Sequence, residues 1–96
     1  MNRVQLSARI IERKSMRYTP AGVPALDLVL EHESTVTEAQ QARKVKLDIK
    51  AVALGPVAEQ LNRQDTGATF GLVGFLGATR TGRGLLLHIT ELNDIV

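Results

Sequence analysis

"ARKVKLDIKAVALGPVAEQLNRQDTG", residues 42–67, contains the change of period on which the fold turns. Lys44, Lys46, Asp48 and Lys50 alternate with Val45, Leu47 and Ile49. Period two is the pattern of a strand, predicted here to have one buried face and one cationic face. The spacing then shifts. Leu54, Val57, Ala58 and Leu61 recur at helical intervals, and Pro56 suits a first helical turn. One short amphipathic helix is predicted over about residues 56–64, with Gly67 as a stop nearby.

Upstream, Val4, Leu6, Ala8 and Ile10 alternate with Arg3, Gln5, Ser7 and Arg9, which predicts a half-buried first strand. "KSMRYTPAGVP" (14–24) is a loop punctuated by Pro20, Gly22 and Pro24. "ALDLVLEHES" (25–34) is a second strand, facing the core with Leu26, Leu28 and Leu30. "TVTEAQQA" (35–42) reads as a mobile polar connection with room for one helical turn around 38–42. Downstream, "ATFGLVGFLGAT" (68–79) is a strand interrupted by Gly71, Gly74 and Gly77, and its Phe75 is expected in the core. "RTGRG" (80–84) is a hairpin loop and "LLLHITEL" (85–92) the last strand. The order β-β-β-α-β-β predicts an all-β, five-stranded OB-fold barrel with one short helix between strands 3 and 4. A five-strand sandwich would expose more edge. The 96 residues suit a single domain, 1–96, without an appended tail.

Composition narrows the chemistry. There is no cysteine, so disulfides, thiolate metal sites and cysteine nucleophiles are excluded. His32 and His88 lie in apolar strands, where a structural histidine is expected; two histidines alone make a poor zinc site. Glu31 and Glu33 share a strand face but have no third group to suggest a mechanism, so they read as solvated carboxylates. "TRTGRG" joins two strands and lacks the helix and lysine of a phosphate loop. No enzyme, metal or cofactor is expected. No apolar run approaches the roughly 20 residues that span a bilayer, and "MNRVQLSARI" has no signal-peptide core, so a cytoplasmic protein away from membranes is expected.

The formal charge is only +2, but it is segregated. Residues 9–17 (Arg9, Arg13, Lys14 and Arg17 against Glu12) carry +3, and residues 43–50 (Arg43, Lys44, Lys46 and Lys50 against Asp48) carry +3. Arg80 and Arg83 add +2, leaving −6 for the rest. In an OB-fold, ligands cross the second and third strands between the first loop and the loop joining strands four and five. All three cationic segments fall there. The predicted contacts to single-stranded DNA are Lys14, Arg17, Tyr18, Arg43, Lys44, Lys46, Lys50, Arg80 and Arg83. Lysines at spacing two lie ~6.6 Å apart, close to the phosphate spacing of an extended strand. Aromatic rings are scarce: Tyr18, Phe70 and Phe75 only, with Tyr18 placed to stack. Binding is therefore expected to lean on phosphates, with steep salt dependence and modest affinity per subunit.

"NRVQLSARI" (2–10) and "TPAGVPALDLVLEHES" (19–34), above all "VLEHES", resemble the bacterial primosomal replication protein N (PriB) family, OB-fold relatives of single-stranded-DNA-binding protein. "GLVGFLG", "RTGRG" and "LLLHITEL" agree more loosely. The resemblance spans the chain and implies a dimeric accessory factor of the replication-restart primosome. Such proteins bind single-stranded DNA and stimulate the PriA helicase, in some bacteria with a handover to DnaT. Arg17 matches a basic first-loop residue of the family; Arg80 and Arg83 match its second loop roughly. Where relatives carry a strand-three tryptophan, this chain has Lys46 between Val45 and Leu47. Two alternatives are an adaptor whose basic face meets an acidic partner, and a short, tetrameric single-stranded-DNA-binding protein paralogue.

Overall fold

A computed structural model describes residues 1–93. The strands are β1 (Val4–Arg13), β2 (Arg17–Tyr18), β3 (Pro24–Glu38), β4 (Gln41–Leu54), β5 (Thr69–Ala78) and β6 (Leu85–Asn93), with helix α1 (Pro56–Arg63) between β4 and β5. The sheet order is β1-β5-β6-β4-β3-β2, and a further β1–β3 pairing closes it into a five-stranded barrel. Pairing of β4 with β6 is parallel, Val52 opposite His88; the other ladders are antiparallel. The expected barrel is present, with β2 as a two-residue addition inside the first loop.

Closure depends on β1 serving two neighbours. Val4–Arg9 pair with β5 and Arg9–Arg13 with β3. A bulge at Ile11, between Ile10 and Glu12, bends the strand, and a second lies in β6 at Thr90, opposite the Val73–Gly74 step of β5. Beyond Arg9 toward the N-terminus, β1 and β3 diverge, and His32 bridges the gap. Its buried ring donates from Nδ1 to the Ser7 carbonyl at 2.7 Å and accepts at Nε2 from the Ser34 hydroxyl at 2.8 Å. This is the structural histidine expected at that position.

The core is aliphatic: Ile10, Leu26, Leu30, Leu61, Leu72 and Leu87 are fully buried. Leu26, Leu28 and Leu30 point inward as their parity predicts. Helix α1 contributes Ala58 and Leu61 to this core. Its C-terminal carbonyls are satisfied by Arg13, whose Nη1 donates to Leu61 O at 3.0 Å and Gln64 O at 2.6 Å. A cation there also complements the negative end of the helix dipole. Leu54, placed by its spacing on the helix's apolar face, instead ends β4 and is exposed.

Two expectations about the middle of the chain are overturned. Residues 35–42 are not a mobile connection. Glu38 pairs with Gln41, so β3 and β4 meet in a two-residue turn, Ala39-Gln40, both at positive φ (51° and 66°). That is the turn geometry that matches strand twist in hairpins. The β-branched Thr35, Val36 and Thr37 favour extended backbone, and the Arg43 Nε–Glu38 Oε1 contact of 2.8 Å ties the tip. Nor are Val45, Leu47 and Ile49 a buried face. Past Glu31 on β3 and before Ala51 on β4 the hairpin has no further strand neighbour among the described residues. It leaves the barrel as a ribbon ~23 Å long at 3.3 Å per residue. Val45 and Ile49 are half-buried and Leu47 is 40% exposed. The arm explains a radius of gyration of 14.0 Å, against about 12.5 Å for a compact chain of this length.

Candidate nucleic-acid interface

Opposite residues of paired strands share a face, so register places the charges. On the outer face of β3–β4, Lys44 lies opposite Thr35, Lys46 opposite Glu33, Asp48 opposite Glu31 and Lys50 opposite Val29. The lysine row faces outward, as its alternation predicts, but Asp48 interrupts it and Glu31 and Glu33 share its face. Arg9, opposite Glu31 on β1, forms an ion pair with Glu31 and approaches Glu33 at 3.6 Å. These glutamates are therefore not merely solvated surface: Arg9 occupies them. Among the described residues, no carboxylate comes within ion-pair distance of Lys44, Lys46 or Lys50.

The first cationic segment is largely consumed by the fold. Arg9 holds Glu31, Arg13 caps α1, and Arg17 is bidentate to Asp27 at 2.6 and 3.1 Å. The Arg17 hydrogen bond is the main reason the Asp27 carboxyl sits below the usual carboxylate range; partial burial opposes it, and the charges of Arg17 and Lys14 add to it. The same contact raises Arg17 further above its ordinary value. Arg43 is likewise paired, with Glu38. Arg17 and Arg43 are therefore part-neutralised by Asp27 and Glu38. Lys14, Arg80 and Arg83 have no ion-pair partner among the described residues.

Two of the three segments visibly converge. Lys14 and Lys50 line one hollow of about 170 Å³ together with the carboxylates of Glu12 and Asp27 and the side chains of Val29 and Leu86. Arg17, through Asp27, borders it. The third segment comes close through its root: Leu85, two residues after Arg83, lines a groove of about 420 Å³ with Leu47, Asp48, Ile49 and Lys50. Leu85 is 63% exposed, and with Leu47 and Ile49 it has the parity opposite to the lysines, so this aliphatic surface belongs to the other face of the arm. Tyr18 is not brought to the lysine face. It follows Arg17 in β2, so the two side chains point to opposite sides, and its ring is 68% exposed.

A ring pair elsewhere has no counterpart among the expected contacts. Phe75 is outward and 39% exposed, not in the core; Phe70 is the buried one. The Phe75 ring stacks on the His88 imidazole with centroids 4.6 Å apart and planes 7° apart. Glycines make room for it. A Cβ at Gly77 would meet His88 Nε2 at 3.0 Å, and one at Gly74 would meet the His88 carbonyl oxygen at 2.0 Å. The signal was in the parity: Phe70 and Phe75 are five residues apart, so a regular strand cannot bury both on one face.

Among the described residues no cluster of ligating side chains suits a metal ion, and no helix is long and apolar enough to cross a membrane. A family profile described as another single-strand binding protein family matches residues 2–91. The replication restart protein PriB of Bordetella pertussis is 50% identical over 80 residues, 83% of this chain and 75% of that protein. A solved structure of PriB from Ralstonia solanacearum matches with a TM-score of 0.88 and 41% identity, over 98% of this chain and 97% of that one. The wild-type single-stranded DNA binding protein of Thermus aquaticus matches with a TM-score of 0.74 and 25% identity, over all of this chain and 50% of that one.

Proposed function

Because this chain belongs to the PriB family of replication restart proteins, within the single-strand binding proteins, we propose that it binds single-stranded DNA during replication restart. The observation that carries the reading is the convergence of Lys14 and Lys50 on one hollow, with Lys46 and Lys44 further along the outer face of the arm. On this reading the strand runs along that face, phosphates on the lysines, with Arg80 and Arg83 closing over it from the β5–β6 loop. Arg17 and Arg43 contribute when phosphate competes with Asp27 and Glu38 for them.

The finer role we assign is stimulation of the PriA helicase, with handover to DnaT where that partner exists. A homodimer is the working form: the outer edge of Val4–Ala8 in β1 pairs with no strand among the described residues and is open to a second copy. Light scattering at twice the chain mass supports it; a tetramer favours the coating-protein alternative.

Anisotropy of labelled oligo(dT) tests the binding itself. If four phosphates are neutralised on a single strand, log K falls against log salt with a slope of about −2.8. Binding at 50 mM salt that weakens steeply toward 200 mM is expected. No binding at 50 mM overturns the DNA reading. Helicase stimulation surviving that loss would favour the adaptor.

A further inference from the structure

We propose that the Phe75–His88 stack is a base-stacking subsite for the same single strand; this rests on the DNA-binding reading and extends it to a part of the surface outside the cationic segments. Four observations carry it. The two rings are parallel and in contact, and Phe75 remains 39% exposed. Gly77 leaves the His88 ring room, since a Cβ there would meet Nε2 at 3.0 Å, while Gly74 lets the β5 backbone lie close to the His88 carbonyl. Beside it lies a groove of about 420 Å³ floored by Val52, Leu54 and Val57, an apolar surface on which a flat base can lie.

The fourth observation is position. Val52 is the strand partner of His88, and Lys50 stands one same-face step before it on β4, ~6.6 Å along the strand. Along β5, antiparallel to β6, the outward positions after Phe75 are Gly77, level with Leu86 and so with Lys50, and Thr79, and the next residue is Arg80. Lys50 and Arg80, neither with an ion-pair partner among the described residues, therefore lie toward the same end of the ring pair. A strand held by its phosphates on those cations can carry its next base onto the ring pair. A purely protein-docking patch does not need unpaired cations at its end, which is why a nucleobase is favoured over a second copy of the chain.

The test uses the full chain with Phe75→Trp, which introduces the chain's sole tryptophan, and Phe75→Leu, which keeps an apolar side chain without a ring. Circular dichroism and thermal melting establish that both are folded. The expected result is quenching of the introduced indole's emission in step with oligo(dT) binding. Phe75→Leu should bind about five- to a hundredfold more weakly, with the wild-type salt slope, and the deficit should vanish on an abasic oligomer of the same length. Unchanged emission at saturating oligo(dT), with Phe75→Leu binding like wild type, overturns the proposal while the DNA reading stands. Failure of the wild-type protein itself to bind removes both. A Phe75→Leu protein that falls apart to a smaller species by light scattering overturns it in favour of an interface between copies.

Discussion

Asp27 shows how one carboxylate restrains the candidate site. It holds Arg17 by two hydrogen bonds, and its carboxyl is kept below the ordinary range. A depressed carboxylate stabilises the folded state fully above its unfolded value, about 3.9, and loses that contribution as pH falls through the folded value. The pair is partly solvated, so its worth is at most about 1 kcal/mol. Asp27→Asn should therefore be slightly less stable at pH 7, with the deficit shrinking as the solution is acidified. It should also bind oligo(dT) more tightly, because Arg17 is released. A deficit in urea unfolding that stays constant into acid would contradict the assignment. Gly74 makes a sharper demand. A Cβ there would lie 2.0 Å from the His88 carbonyl oxygen, a backbone atom with little freedom to move. Gly74→Ala should lower stability by about 3 kcal/mol or more, the upper end of overpacking costs, read as a fall in the urea midpoint; Gly77→Ala meets a ring that can turn and should cost less. At this scale the sequence was partly legible. The glycines announced close approach, and the five-residue spacing of Phe70 and Phe75 already set the two rings on opposite faces. What stayed hidden was which arginines the fold would use, because Arg9, Arg13 and Arg17 find partners 22, 48 and 10 residues away.

The arm formed by β3 and β4 departs most from its sequence reading, and the reason is local. A two-residue turn with both φ positive favours Asn-Gly, yet here it is Ala39-Gln40. Left-handed backbone costs such residues roughly 1–2 kcal/mol each. Ala39→Asn with Gln40→Gly should stabilise the arm, slowing hydrogen exchange of the amides flanking the turn, with the barrel amides unaffected. Unchanged exchange near the turn would mean that the Glu38–Arg43 contact and strand pairing already hold it fully. A turn built from poor turn residues gives a sequence reader nothing to see. The alternation of residues 44–50 was visible, but alternation reports a pleat and not a cover. Whether the apolar parity is buried depends on how far β1 and β6 reach, which only the assembled sheet decides. Helix α1 was legible to within a residue, since its Pro56 start and the Ala58–Leu61 spacing are local signals.

For the whole molecule, the five-strand order and the helix position followed from period changes along the chain, and the barrel contains both. The charge pattern did not transfer so simply. Segments that look separately cationic and acidic in sequence are folded onto one face, so that Glu31, Glu33 and Asp48 lie among Lys44, Lys46 and Lys50. The surface offered to a polyanion is weaker than the segment charges imply, and affinity per subunit should be modest, with duplication in a dimer raising it. The lysine row remains the element on which binding depends. Its most direct test is an anisotropy titration of oligo(dT) at 50 mM salt with the protein carrying Lys44→Glu, Lys46→Glu and Lys50→Glu together. The exposed arm tolerates these changes, so the thermal transition should be close to wild type, while binding is lost. Wild-type affinity in that folded triple variant would contradict the account.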